Sequence, residues 1–368
     1  MPPPVPQPTR RQMLLAGSAL LGSGLLAACG QDGEDAASSS VPTSSAPTSA
    51  APAGPPPAGD PVAWPDVARV PHLFFHSLVV DPARAFDGDD KAGGYLDFMV
   101  TVDEFDAVIR QVYERGYVLV SPHELYEVGE DDVVRPKTLM VPEGRTPLIL
   151  SLDDFLAEHP DFSLNGARGV LAMTGYDGVF GYRTSAREFG DSPTFDADVA
   201  AATEVADALK DSGWEFASHT WGHRTVPKLT MEELEFDMGH WHEEVEPILG
   251  PTDMLIYPFG ADVTGPGTYT EDNERYRYFR ELGYRSFFLV DGTSKAWGQL
   301  EPGYYRGSRI NVDGISLAAA VSGERPVLEE FFDPRSVLDP ARPESIRGPK
   351  KPSPAPSSPA AAPRTPRP

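Results

Sequence analysis

Between residues 70 and 290 the chain alternates short apolar runs with amphipathic helical patterns, and this alternation restricts the fold more than any other feature. Val70–Leu78, Tyr117–Val120, Pro147–Leu152, Gly169–Thr174, Trp214–Ala217, Met254–Tyr257 and Tyr284–Val290 have the length and composition of strands. Between them, Val102, Phe105, Val108, Ile109, Val112 and Tyr113 recur at helical spacing, with Gly116 as the stop. Val199, Ala202, Ala206 and Leu209 repeat the pattern and end at Gly213, while Thr230 and Glu233 form a capping box ahead of Leu234, Met238, Trp241 and Val245. Strand–helix alternation predicts an α/β fold, a parallel sheet closed or nearly closed into a (β/α) barrel with its helices outside. Reacting groups in such barrels stand at the C-terminal ends of the strands.

The flanks divide the chain into four expected parts. Thr9-Arg10-Arg11-Gln12-Met13-Leu14-Leu15 sets paired arginines ahead of an apolar run, Met13 to Ala28, that is too short for a permanent bilayer helix. The run closes on Leu26-Ala27-Ala28-Cys29, a lipobox pattern, so residues 1–29 read as a bacterial lipoprotein signal peptide that resembles a twin-arginine export signal. Residues 30–61, rich in Ser, Pro and Ala, read as a disordered tether; residues 62–335 as one catalytic domain; residues 336–368 as a disordered Pro-rich tail. Cys29 is the only cysteine, which excludes an internal disulfide and a thiolate zinc site. A net charge of -24 argues against nucleic acid as a partner and against membrane contact other than through the lipid on Cys29. The expectation is a monomer, exported and anchored to the outer face of the bacterial cytoplasmic membrane.

Two motifs carry chemistry. Leu148-Ile149-Leu150-Ser151-Leu152-Asp153-Asp154 is an apolar strand that ends in adjacent carboxylates. Such a pair caps a following helix, or has its mutual repulsion relieved by a cation or a shared proton. Glu215-Phe216-Ala217-Ser218-His219-Thr220-Trp221-Gly222-His223 sets two imidazoles four residues apart just past another strand. In one helical turn that spacing brings both to one face, and two histidines with a carboxylate suit a divalent ion with open positions for water and substrate. His72 and His76 share a strand face at period two, so either could line the site. His123 sits in a capping-box pattern, Ser121 to Glu124, and reads as a helix start; His240 and His242 read as solvated, and His159 has no evident partner.

Asp153-Asp154, His219-Thr220-Trp221-Gly222-His223 and Tyr257-Pro258-Phe259-Gly260 occur in the order and context of the polysaccharide deacetylase (NodB-homology, carbohydrate esterase type) family, which the core resembles along nearly its whole length. Val70-Pro71-His72-Leu73-Phe74-Phe75-His76-Ser77 is similar to the opening strand of its exopolysaccharide-deacetylase branch. The resemblance implies a distorted seven-stranded barrel, with Asp154, His219 and His223 as ligands of a divalent metal, zinc by default. It also implies Asp153 as general base and His76 as general acid, because none of the eight histidines lies beyond His242 to fill the late position used by many members. Trp221, Tyr257, Pro258 and Phe259 would contact an N-acetylated glycan. The chain departs from the pattern in having Phe155 after the acid pair and no arginine before Pro258, so Arg183, Arg306 or Arg309 would orient Asp153. Asp291 and Trp297 loosely match the later motif that shapes the groove. Removal of N-acetyl groups is the leading expectation. An O-acetyl esterase on the same site and a catalytically silent glycan-binding lipoprotein stay open beside it.

Overall fold

A computed structural model describes residues 55, 57–150, 160–265, 267–291, 294 and 296–342. Residues 1–54 lie outside the described residues, Cys29 among them, as do Asp153, Asp154, Phe155 and His159; the unit Ala51–Pro368 holds all of the described residues.

Apolar runs become strands where both faces can be buried. The barrel strands are β1 (Leu73–Phe74), β3 (Thr146–Leu148), β4 (Val170–Met173), β5 (Glu215–Ser218), β6 (Met254–Ile256), β7 (Ser286–Val290) and β9 (Tyr304–Asn311), with β2 (Tyr117–Leu119) and β8 (Gly298–Glu301) beside them. The main sheet runs β4-β5-β6-β7-β9-β8, and β1 adds to β9 in parallel through Ile310 opposite Leu73. The ring continues beyond that pairing: Leu73 donates to the Ile149 carbonyl (3.1 Å) and Val170 to the Leu150 carbonyl (3.2 Å), which brings β3 between β1 and β4. Strand β2 pairs in parallel with β3 along Thr146–Leu148. This is the curled parallel (β/α) sheet that the alternation predicts.

Sequence reading missed β8 and β9. Strand β9 reads Tyr-Tyr-Arg-Gly-Ser-Arg-Ile-Asn, too polar to stand out as an apolar run, yet nearly all of it is buried. Period two divides it: Tyr305 packs inside the barrel with Ile149, Ile256 and Phe288, whereas Tyr304 packs outside with the helix layer. Arg309 therefore falls on the inner face and Arg306 on the outer.

Helices α1 (Ala92–Phe98), α2 (Val102–Glu114), α3 (Phe195–Asp211), α4 (Met231–Glu244), α5 (Glu274–Glu281) and α6 (Gly314–Val321) cover the strands. The Thr230–Glu233 capping box starts α4 as predicted, and a second, Thr101 with Glu104, starts α2. Glu104 also forms a fully buried ion pair with Arg342, whose guanidinium donates to the carbonyls of Leu96 (2.9 Å) and Met99 (2.6 Å). Residues 336–342, assigned to the tail on composition, thus pack on the domain. The expected boundary at 335 is too early, because one arginine among several in a Pro-rich stretch gives no sign of the carboxylate that it meets.

His123 does start a short helix with the Ser121–Glu124 capping box, and it does more. Its ring sits between the Glu215 carboxylate on Nδ1 and that of Asp253 on Nε2 (2.8 Å), at the N-terminal ends of β5 and β6. Burial opposes the charge, but the hydrogen bonds to Asp253 and Glu215 outweigh it and raise the pKa to about 10. A raised histidine pKa gives stability that is complete below the unfolded value of about 6.5 and is lost as pH rises toward 10. In urea titrations from pH 6 to 10, the midpoint of the wild type is expected to fall relative to His123→Gln. Parallel curves for the two proteins would contradict the ionic clamp.

Candidate active site

The C-terminal strand ends surround a cavity lined by His72, His76, Thr174, His219, His223 and Arg309, among others. Period two explains why: Val70, His72, Phe74 and His76 take the inner face of the first strand and its extension, as Ala217 and His219 do along β5. His219 and His223 lie with ring centroids 4.8 Å apart. The Nδ1 of His219 bonds the Ile256 carbonyl (2.7 Å); a carbonyl only accepts, so Nδ1 carries the proton and Nε2 keeps its lone pair. Burial, aided by the field of Arg309, pushes His219 down to about 3, and burial also lowers His223, so both are neutral at pH 7. Two adjacent neutral imidazoles, one with its tautomer fixed by a backbone carbonyl, fit a divalent ion. Among the described residues no three metal-ligating side chains come together; the expected third ligand, Asp154, and the expected base, Asp153, lie in 151–159, outside them.

The turn that carries the two histidines is strained. Thr220 (φ 60°), His223 (φ 50°) and Phe259 (φ 58°) are three of the six described non-glycine residues with positive φ. Each costs about 1–3 kcal/mol and persists only where its surroundings demand it. Asp237 supplies the demand: its carboxylate accepts from the backbone N–H of Trp221 (2.9 Å) and of Gly222 (3.0 Å). The Trp221 carbonyl in turn accepts from Gly175 and Tyr176, both at 3.0 Å. Gly175 has no room for a Cβ, which would collide with the Trp221 indole. Asp237 was missed, although its position gives it away: it is an acid inside the apolar stripe Leu234, Met238, Trp241 of α4, where nothing but a partner justifies burying a carboxylate.

Other expected residues separate cleanly. His76 lines the cavity mouth and is held by a hydrogen bond to the Phe98 backbone; desolvation lowers its pKa against the opposing field of Asp313. His72 is buried on the cavity wall edge-on to Phe288 (5.2 Å), and its Nδ1 has no hydrogen-bond partner among the described residues. Arg183 pairs with Asp177 at the surface and Arg306 with Asp262 on the outer face. Arg309 alone of the three candidates reaches the cavity, with its guanidinium over Phe74 (4.2 Å) and its pKa lowered by burial to about 9.

Three of the four expected glycan contacts need correction. Tyr257 is 0% exposed, with its hydroxyl bonded to that of Tyr269 (3.0 Å); as the second residue after Leu255 it points to the helix layer, not into the barrel. Pro258 is buried in the turn. Trp221 is largely buried, with its indole N–H donating to Glu244 (2.7 Å), and only its edge reaches a neighbouring cleft. Phe259 is 68% exposed, lines the cavity and packs on His223 (4.7 Å). Asp291 follows β7 at the cavity end, its N–H on the Arg309 carbonyl (3.1 Å), while Trp297 packs on Arg306. His242 pairs with Glu246, and His240 packs on Phe236.

The polysaccharide deacetylase family model matches residues 192–286, the segment that carries α3, β5, the histidine turn, α4 and β6. Over this segment the chain is similar to the polysaccharide deacetylase family, and that match supports a hydrolase of the deacetylase type. No curated protein matches the chain. Among solved structures, the Streptococcus pyogenes deacetylase PplD in complex with acetate is 15% identical, with a TM-score of 0.43 over 74% of this chain and 99% of that one. A Bacillus cereus polysaccharide deacetylase is 16% identical, with a TM-score of 0.38 over 66% and 65%. At such scores the likeness decides neither fold nor chemistry.

Replacing Asp237 with Ala is expected to cost about 1–3 kcal/mol, since two buried N–H groups lose their acceptor. Acetate release should fall with it, because the histidine turn is released. Urea unfolding and an acetate assay on the same protein check this; an unchanged assay would mean that the turn holds itself.

Proposed function

We propose that the chain is a metal-dependent deacetylase that removes acetyl groups from acetamido sugars in an extracellular glycan. The observation that carries this reading is the His219 Nδ1 bond to the Ile256 carbonyl, which prepares Nε2 as an acceptor beside His223. His219 and His223, joined by Asp154, would hold the ion, with zinc the first choice for such a donor set. When bound, the ion supplies Lewis acidity, polarising the acetyl carbonyl and making water acidic near neutral pH.

The chain's own groups do the rest. Asp153 takes the proton of the attacking water. Arg309, a buried cation on the inner wall, would balance and orient the Asp153 carboxylate in place of the arginine that is missing before Pro258. His76, fixed by the Phe98 backbone, delivers a proton to the departing sugar amine. On this reading residues 1–29 direct export, and the lipid on Cys29 tethers the domain to the outer face of the membrane.

One observation favours a second substrate. Burial disfavours the charged form of His76, and O-acetyl esters, whose leaving groups need less acid help, depend on that proton less than amides do.

Asp153→Asn is expected to abolish acetate release from chitin oligomers, peptidoglycan or poly-N-acetylglucosamine while zinc content by elemental analysis stays equal to wild type. His219→Ala should lose the metal itself. Acetate release that survives both changes would end the proposal. His76→Ala should slow N-acetyl turnover about 10²–10⁴-fold and aryl acetate turnover far less. Equal losses on both substrates would remove His76 as the acid.

A further inference from the structure

After α6 the chain turns back and lies as a strap along the full length of α2. Arg115, one residue past the end of that helix, donates from its guanidinium to the Glu329 carbonyl (2.5 Å). Gln111 accepts from the Asp333 N–H (2.8 Å) and donates to the Ser336 hydroxyl (2.9 Å). Glu104, in the first turn, accepts from the Asp339 N–H (3.1 Å) and from Arg342 at two points (2.5 and 2.8 Å). The strap thus runs antiparallel to the helix, and its Phe331 and Val337 join Phe105 and Val108 in one buried cluster.

The end of the strap reaches the wall of the reacting site. Arg342 also donates to the carbonyls of Leu96 (2.9 Å) and Met99 (2.6 Å), which bracket Phe98 at the end of α1. A helix end leaves carbonyls without partners, and a planar guanidinium can serve two of them and a carboxylate together. Gly314, at the start of α6, has no room for a Cβ against the Leu96 carbonyl, so the same turn is hemmed in by a second element. Phe98 in turn bonds His76 through its backbone and lies edge-on to its ring (6.1 Å), both on the cavity wall. Between Arg342 and His76 stands only the 96–99 turn.

We propose that Arg342 is a positioning residue for His76: its fork fixes the 96–99 turn, and the turn fixes the imidazole that gives a proton to the departing sugar amine. The inference rests on the acid role of His76 proposed above and extends it to the far end of the domain. Arg342→Lys keeps a positive charge beside Glu104 but replaces the fork with one ammonium, which cannot serve the carboxylate and both carbonyls in the same geometry. The His76 ring then loses its fixed place, while the turn of His219 and His223, held by Asp237, is untouched.

The test uses the full chain carrying Arg342→Lys, His76→Ala or both. N-acetyl turnover is expected to fall about tenfold in Arg342→Lys, in kcat with KM unchanged, and aryl acetate turnover by about twofold at most. Because Arg342 acts through His76, the same change should cost nothing further in the His76→Ala background. Losses that add in full, a loss equal on both substrates, or full turnover in folded Arg342→Lys would each overturn the role. If Arg342→Lys does not fold, Gly314→Ala, which displaces the same turn with Arg342 in place, must show the selective loss in kcat instead. Nitrogen-15 spectra of the histidine rings separate this role from the reaction. If the wild type releases acetate from no substrate, the deacetylase reading fails; the positioning role stands if Arg342→Lys shifts or broadens the His76 signal and spares those of His219 and His223, and falls if the His76 signal stays as in the wild type.

Discussion

Two hydrogen bonds from the N–H groups of Trp221 and Gly222 to the Asp237 carboxylate hold the backbone on which the site is built. They reach across to α4 and fix a turn whose Thr220 and His223 both sit at positive φ. Without an acceptor there, the turn would relax toward ordinary backbone angles and the two imidazoles would part. The same turn offers the Trp221 carbonyl to Gly175 and Tyr176, so the loop after β4 inherits its position. One carboxylate thereby sets the histidine pair, the cavity wall and the edge of the neighbouring cleft.

Charge inside the barrel follows a second constraint. Arg309 is placed on the inner face of β9 by strand periodicity, where burial lowers its pKa and its field helps to keep His219 neutral. A buried guanidinium costs several kcal/mol unless an anion meets it. A carboxylate beside it is thus favoured twice, by direct attraction and by relief of that cost. On the proposed reading the general base would supply that carboxylate, and the neutral imidazoles stay free to act as ligands.

The third element is bracing from far along the chain. Arg342 pairs with buried Glu104 and takes up the carbonyls of Leu96 and Met99 at the end of α1. Phe98 lies between those two residues, bonds His76 through its backbone and presents its ring to the cavity. The far end of the domain therefore positions one side of the site, while Asp237 positions the other.

Much of this was legible in the sequence, for identifiable reasons. Hydrophobic periodicity is a local property, so the strands from β1 to β7 and the helices α2 and α4 could be read directly, as could His72 on the face of His76; His219 and His223 do lie together, but through a non-helical turn with Thr220 and His223 at positive φ and not through the helical spacing that was expected. What a residue meets across space is not local. The sequence ranked Tyr257 with Phe259 because they are neighbours, but strand alternation sends one into the helix layer and a left-handed turn sends the other out over the cavity. It left Arg183, Arg306 and Arg309 equal, because nothing in a single strand tells which face will be inside. Asp237, Phe98 and Arg342 gained their roles only on folding, because a buried carboxylate, an exposed ring or a buried cation is defined by the partners that the closed barrel brings to it.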